Sequence, residues 1–187
     1  MLSGNIERGA DGALRFAGFD IRGLAKKHGT PLYLMDEARI RQNCRMYTKA
    51  FQEHFGEKGR ILYASTAASF KQMSRIAAQE GIGVDAVSAG EIRTALAAGY
   101  PAEKICFHGN GKTAAEIRYG LEAGVGCFVV DNTEELELLS REAEAAGKRQ
   151  KILIRVTPGI DTHSYAAVNT GLVDSKFGFA IETGQAE

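Results

Sequence analysis

The sequence has no excess of charge of either sign. Lys plus Arg and Asp plus Glu number 23 each, so no basic surface for nucleic acid can be argued. No apolar run approaches the roughly 18 residues that a membrane-spanning helix needs. The opening Met-Leu-Ser-Gly-Asn-Ile-Glu-Arg-Gly lacks the basic-then-apolar order of a signal peptide. Cysteine is scarce: Cys44, Cys106 and Cys127 are odd in number and far apart, without metal-ligand spacing. Thiols in a reducing compartment are therefore expected in preference to a disulfide, and no metal site is expected. No segment is low in complexity. What remains is 44% apolar and 25% charged over 187 residues, the make-up of a soluble globular domain with a full core. The expectation is a cytoplasmic protein with no nucleic-acid, membrane or metal partner.

Against that background five short apolar runs recur: Ile61–Ser65, Ile82–Ala86, Lys104–His108, Cys127–Asp131 and Lys151–Val156. They are rich in β-branched and aromatic residues and several are apolar almost throughout, as strands of a parallel sheet buried on both faces are. Between them lie segments of helical period, with Phe70, Met73, Ile76 and Ala77 on one face, Ile92, Leu96 and Ala97 on another, and Leu136, Leu138 and Leu139 in a third. Ser88 and Asn132 are placed to cap helices, and Glu91 completes a capping-box pattern with Ser88. Gly81, Gly99, Gly124 and Gly147 stand near the helix ends.

A strand-plus-helix period of about 21 to 25 residues suits a (β/α)8 barrel. The chain reads as α/β, a partial barrel of about five βα units from residue 60. Before them Pro31–Met35 reads as a further strand, Asp36 caps a helix to about His54, and residues 1–30 read as a strand or two plus a short helix. Five units do not close an eight-stranded barrel. The strands near 61 and 153 are then long apolar edges that something must cover.

In such barrels chemistry sits at the C-terminal ends of the strands. Those positions are Ser65-Thr66, Asp85, His108 through Lys112, Asp131-Asn132 and Arg155. The set is polar and mixed in charge, fit to hold a phosphorylated ligand. Asp85 serves equally as ligand or helix cap; Asp131-Asn132 reads as a cap before a ligand. Arg155 in an apolar strand requires an anionic partner, for which Asp85 is a candidate.

These residues lie within motifs that resemble diaminopimelate decarboxylase, of the alanine-racemase-like pyridoxal-phosphate (PLP) enzymes. The motifs are Gly29-Thr-Pro-Leu-Tyr-Leu-Met-Asp36, Leu62-Tyr-Ala-Ser65, Gly83-Val-Asp-Ala-Val-Ser-Ala-Gly-Glu91 and Phe107-His-Gly-Asn110. Ile154-Arg-Val-Thr-Pro-Gly159, His163, Tyr165, Thr170-Gly171 and Ser175-Lys-Phe-Gly178 continue the series. The resemblance covers about residue 10 to the end. It implies residues 1–35 as a contribution to a β-domain and 36–187 as an incomplete PLP-binding barrel. It implies loss of carbon dioxide from meso-diaminopimelate to give lysine, a small amino-acid substrate, and a homodimer or another pairing that covers the open barrel edge. Asp85, Arg155 and His108 are implied beside the cofactor, and His163, Tyr165 and Lys176 in the loop on the substrate side. The family's glycine-rich phosphate loop and the acidic partner of the pyridinium nitrogen are implied beyond residue 187.

One position departs. The family's lysine, which holds PLP as a Schiff base, is Thr66 here, in Tyr63-Ala-Ser-Thr66-Ala67. A hydroxyl cannot form an imine, so covalent attachment is not expected and turnover should fall by orders of magnitude. Lys71 points away in the next helix, which leaves Lys112 as the candidate substitute. The alternative is a catalytically inactive binding or regulatory homologue, or a truncated fragment.

Overall fold

The computed structural model describes residues 4–56, 59–160 and 177–186. They fall into two compact units, Met1–Glu57 and Lys58–Glu187. In the first, strands β1 (Ile6–Arg8), β2 (Leu14–Phe16) and β3 (Phe19–Asp20) form an antiparallel meander. The β2–β3 reversal is made by Ala17 and Gly18, with φ of 49° and 81°. A tight hairpin needs positive φ at both central residues, and only glycine adopts it without strain. Asp20 accepts from the Arg22 amide to start α1 (Ile21–His28), and Asp36 from that of Arg39 to start α2 (Glu37–Phe55). Residues 31–35, expected as a strand, form no strand; Tyr33 is almost fully exposed. A strand is defined by its ladder, and no neighbouring strand meets this segment among the described residues.

In the second unit β4 (Leu62–Ala64), α3 (Lys71–Gln79), β5 (Gly83–Ala86), α4 (Ala89–Ala97), β6 (Ile105–Phe107), α5 (Ala114–Ala123), β7 (Cys127–Val130), α6 (Thr133–Ala145) and β8 (Ile152–Ile154) alternate. The five strands are parallel in chain order. This is the expected part of a βα barrel: five strands, with helices as crossovers.

Alternation along the strands separates two faces. Val84, Ala86, Ile105, Phe107, Phe128 and Val130 are fully buried and pack with Ile92, Ile117, Leu121 and Leu139 of the helices. Burying one Phe or Leu contributes about 1.5–3 kcal/mol, so this single core dominates the unit. In α3, Met73, Ile76 and Ala77 are buried as expected, whereas Phe70 is its N-cap residue and 40% exposed. In α4 the buried partner of Ile92 is Ala95; Leu96 is only half-buried and Ala97 is exposed.

The sheet is not closed among the described residues. Its edges are β4 and β8, and Leu62, Ile152, Leu153 and Ile154 are exposed there. Beyond β8 the ladder breaks at Arg155. The next strand, β9 (Val156–Thr157), pairs in parallel with β10 (Phe179–Ala180) instead. Cys106 and Cys127, expected as free thiols, are joined as a disulfide, because they are register partners on adjacent strands. Cys44 is buried and takes no part in a disulfide among the described residues. No helix of the described residues is long and apolar enough to cross a membrane.

Candidate cofactor-binding site

The C-terminal strand ends bring together most of the anticipated residues. Asp85, in β5, and His108, just after β6, approach to 3.3 Å between carboxylate and Nδ1. The His108 amide donates to the Ala86 carbonyl at 2.7 Å, extending the ladder by one residue and aiming the ring at Asp85. Its Nε2 is buried with no partner among the described residues. The following Gly109 has φ of 103°, and a Cβ there would stand 3.0 Å from the Val87 carbonyl. The loop closes over the β5 end only because that residue is glycine.

Arg155 finds a different partner from the one expected. Its Nη1 donates to Asp131 Oδ1 at 3.0 Å, and the guanidinium lies 4.3 Å over the Phe177 ring. Asp85 cannot serve, because β5 and β8 are separated by two strands, roughly 14 Å at the usual spacing. Asp131, whose side chain is fully buried, also accepts the Gly178 amide at 3.0 Å. It is therefore an ion-pair residue rather than a cap. The cap of α6 is Asn132, which accepts from the Glu135 amide at 2.8 Å.

Thr66 occupies a short 3-10 turn, Ser65–Ala67, directly after β4 and is exposed. The turn is tied down by its neighbour. The buried Ser65 hydroxyl lies 3.0 Å from the Asp85 carbonyl oxygen and is hydrogen-bonded to the Glu91 carboxylate, which also accepts the Val87 amide. The Ser88 side chain accepts from the Glu91 amide. The Glu91 carboxylate, however, does not complete the capping box expected of it. It reaches across to the preceding βα loop instead.

Two further glutamates at the same helical position behave alike, and sequence reading had not singled them out. Glu116 completes a capping box with Thr113 and also accepts the Ala89 amide at 3.3 Å. Glu135 accepts the Asp131 amide and receives Lys112 at 2.6 Å. The signal was present as spacing: Glu135 follows Asn132 as Glu91 follows Ser88.

Lys112, the candidate substitute for a lysine at position 66, is engaged elsewhere. Its ammonium donates to the Gly109 and Val129 carbonyls, both at 2.7 Å, as well as to Glu135, and its side chain is 1% exposed. All three donors of the ammonium are used. Lys71 is exposed at the start of α3. His163, Tyr165 and Lys176 lie outside the described residues.

The arrangement suits non-covalent contact with a polar, anionic ring. Asp85, His108 with its unpartnered Nε2, and the partly exposed Arg155 all line one end of the sheet. At the turn after β4 the side chain is the Thr66 hydroxyl, and the buried Lys112 ammonium is taken up by three other acceptors.

The profile of the family "Pyridoxal-dependent decarboxylase, pyridoxal binding domain" matches residues 37–187. The diaminopimelate decarboxylase of Bacillus methanolicus is 47% identical over 176 residues, 94% of this chain and 40% of that protein. That of Bacillus subtilis (strain 168) is 44% identical over 186 residues, 100% of this chain and 42% of that protein. Among solved structures, diaminopimelate decarboxylase from M. jannaschii in co-complex with L-lysine aligns with a TM-score of 0.86 at 35% identity, covering 100% of this chain and 44% of that one. Lysine/ornithine decarboxylase from Vibrio vulnificus, complexed with putrescine, aligns at 0.60 and 28% identity, over 73% of this chain and 35% of that one. The chain thus spans about two fifths of the length of the curated relatives it matches. With five parallel βα strands, a polar site at their C-terminal ends and this similarity across its length, the chain belongs to the pyridoxal-dependent decarboxylase family, and it corresponds there to the pyridoxal-binding portion of the diaminopimelate decarboxylases.

Proposed function

We propose that this chain is the cofactor-side portion of a diaminopimelate decarboxylase fold that has lost the covalent hold on its cofactor. The observation that carries the reading is the pair Thr66 and Lys112: one position offers a hydroxyl, and the buried amine at the other is fully engaged. In the reaction of the relatives, bound PLP supplies an electron sink for the pair left behind when carbon dioxide departs. The residues of this chain have the subsidiary tasks. Asp85 orients His108, whose buried Nε2 has no partner among the described residues. Asp131 holds Arg155 where it can meet an anionic group.

The substrate class is a small amino acid, meso-diaminopimelate giving lysine, and the compartment is the cytoplasm. Residues 1–35 form the β-domain contribution and 36–187 the barrel portion, with His163, Tyr165 and Lys176 on the substrate side. Turnover by this chain is impaired or absent.

The test is to mix the protein with pyridoxal phosphate, reduce with borohydride and locate any adduct by mass. The wild type should carry no stoichiometric adduct at a single site, and Thr66→Lys should gain one at residue 66. A single-site adduct on Lys112 or Lys176 of the wild type would overturn the reading.

A second reading, an inactive binding homologue, is favoured by one observation: the apolar edge strands β4 and β8 are exposed. It requires a homodimer or another partner that covers them. Sedimentation showing a monomer at every concentration would count against it.

A further inference from the structure

Cys106 and Cys127 stand opposite one another in adjacent parallel strands, with Cα atoms 4.8 Å apart. That separation lies within the range a disulfide spans. Their neighbours Ile105, Phe107 and Phe128 face the helix-covered core, so the two sulfurs project from the opposite face of the sheet. There they border a cleft of about 570 Å³ whose rim also carries Arg60, Lys104 and Lys151 against one carboxylate, Glu103. Cys106 is 3% exposed, whereas Cys127 is half-buried. The pair thus combines proximity, an opening to solvent and one member more accessible than the other; Lys104 and Lys151 line the cleft, and Asp85 stands opposite Cys106 in the next strand. Reactive thiols are found in electropositive, partly exposed surroundings, and inert ones in closed apolar surroundings.

We propose that Cys106 and Cys127 form a reversible dithiol–disulfide site for two-electron oxidants of the peroxide class. The Cys127 sulfur attacks a peroxide oxygen and the O–O bond breaks. Hydrogen peroxide then leaves a sulfenic acid on Cys127 and one water. The Cys106 sulfur attacks the Cys127 sulfur, the S–O bond breaks, the S–S bond forms and a second water leaves. Two thiols give up two electrons and two protons, which the peroxide takes up. Lys151, on the cleft rim and at the head of the strand next to that of Cys127, is the cation placed to favour negative charge on the attacking sulfur. A small dithiol reverses the change by exchange.

The bond joins β6 to β7, the strands that end in His108 and Asp131, and Asp85 is the register partner of Cys106 on the other side. Oxidation therefore closes a covalent link within the same row of the sheet that carries the candidate site. None of this depends on whether a cofactor binds.

The test uses the whole chain, fully reduced with dithiothreitol, treated with hydrogen peroxide, alkylated with N-ethylmaleimide and weighed intact. Two of the three thiols should be lost together, with a mass decrease of two hydrogens. Peptide mapping should return a Cys106–Cys127 pair with Cys44 still alkylated, and dithiothreitol should restore all three thiols. Cys106→Ser should leave a sulfenic acid on Cys127 that dimedone traps. Cys127→Ser should slow oxidation of Cys106 about tenfold or more, because the exposed member is gone. The proposal is overturned if both sulfurs stay alkylated at peroxide levels that oxidise glutathione. It is equally overturned if Cys44 enters the cross-link, or if the wild type proceeds to sulfinic acid without forming the intramolecular bond.

Discussion

Replacing Lys112 by methionine separates a structural lysine from a chemical one. The ammonium is buried, with Glu135 at 2.6 Å and two backbone carbonyls at 2.7 Å, and the side chains are 1% and 5% exposed. Methionine keeps most of the stem volume, so little of the effect is packing. What is lost is the counter-charge of a buried carboxylate, which retains only the Asp131 amide at 3.3 Å. Breaking a buried pair from one side costs about 3–5 kcal/mol, out of a total stability of about 5–15 kcal/mol. Glu135→Met should cost a similar amount, since it strands the cation. The double variant with methionine at both positions should lose clearly less than the two single losses added, because no charge is then left unpaired. The assay is urea denaturation followed by circular dichroism on all four proteins, with equal slopes required for comparison. A loss below about 1 kcal/mol for Lys112→Met would refute the structural assignment. So would additive losses in the double variant. A reading of Lys112 as the cofactor lysine predicts the reverse pattern, with stability nearly unchanged and the borohydride adduct abolished.

Three other predictions follow from the same geometry. Reducing the Cys106–Cys127 bond should lower stability by about 3 kcal/mol, since a loop of 21 residues is freed in the unfolded chain; urea midpoints with and without dithiothreitol measure it. Glu116 titrates below its ordinary value of 4.5, chiefly because the Thr113 amide donates to its carboxylate. A lowered folded-state value makes this contribution present above about pH 4.5 and lost as pH falls through the lower value. Glu116→Gln should accordingly show a shallower loss of stability in that acid window than the wild type, and parallel curves would contradict the sign. Finally, a Cβ on Gly126 would lie 2.0 Å from the Glu103 carbonyl oxygen, whereas on Gly90 its nearest neighbour is the Ser88 hydroxyl at 3.6 Å. Gly126→Ala should cost about 3 kcal/mol or more, and Gly90→Ala, in the first turn of α4, should be neutral or stabilise by up to about 1 kcal/mol. Thermal melts of the two variants decide the contrast.

The five strands were legible because runs such as Ile105–Phe107 are apolar at every position, which a strand needs when both faces are covered. Helix starts were legible through Asp36 and Asn132, whose side chains act locally. Pairings across strands were missed, although the period that fixes them is printed in the chain. Ala64, Asp85, Cys106 and Cys127 are register partners in succession, each 21 residues after the last. The Cys106–Cys127 and Asp85–His108 contacts follow from that constant step. Between β7 and β8 the step lengthens to 24 residues, which sets Asp131 beside Arg155. The pairing of Arg155 with Asp85 treated a charge match as sufficient, whereas strand order decides which charges can meet. The segment 31–35 misled for a related reason: its apolar run is strand-like, but pairing needs a neighbour that no local pattern reveals.

The three glutamates at the helix starts tie the frame together independently of residue 66. Glu91 holds the turn after β4 through Ser65, Glu116 holds the start of α4 through the Ala89 amide, and Glu135 holds the loop after β6 through Lys112. Each links one βα unit to the unit before it at the end of the sheet where the site lies. Residue 66 takes no part in any of these bonds, so a substitution there leaves the scaffold's internal ties in place. An identity of 47% to a decarboxylase carries the fold, whereas the chemistry at position 66 is set by that side chain alone. A lysine placed at position 66 would meet a turn already fixed by Ser65 and Glu91, which is why gain of the borohydride adduct in Thr66→Lys tests the frame and the chemistry separately.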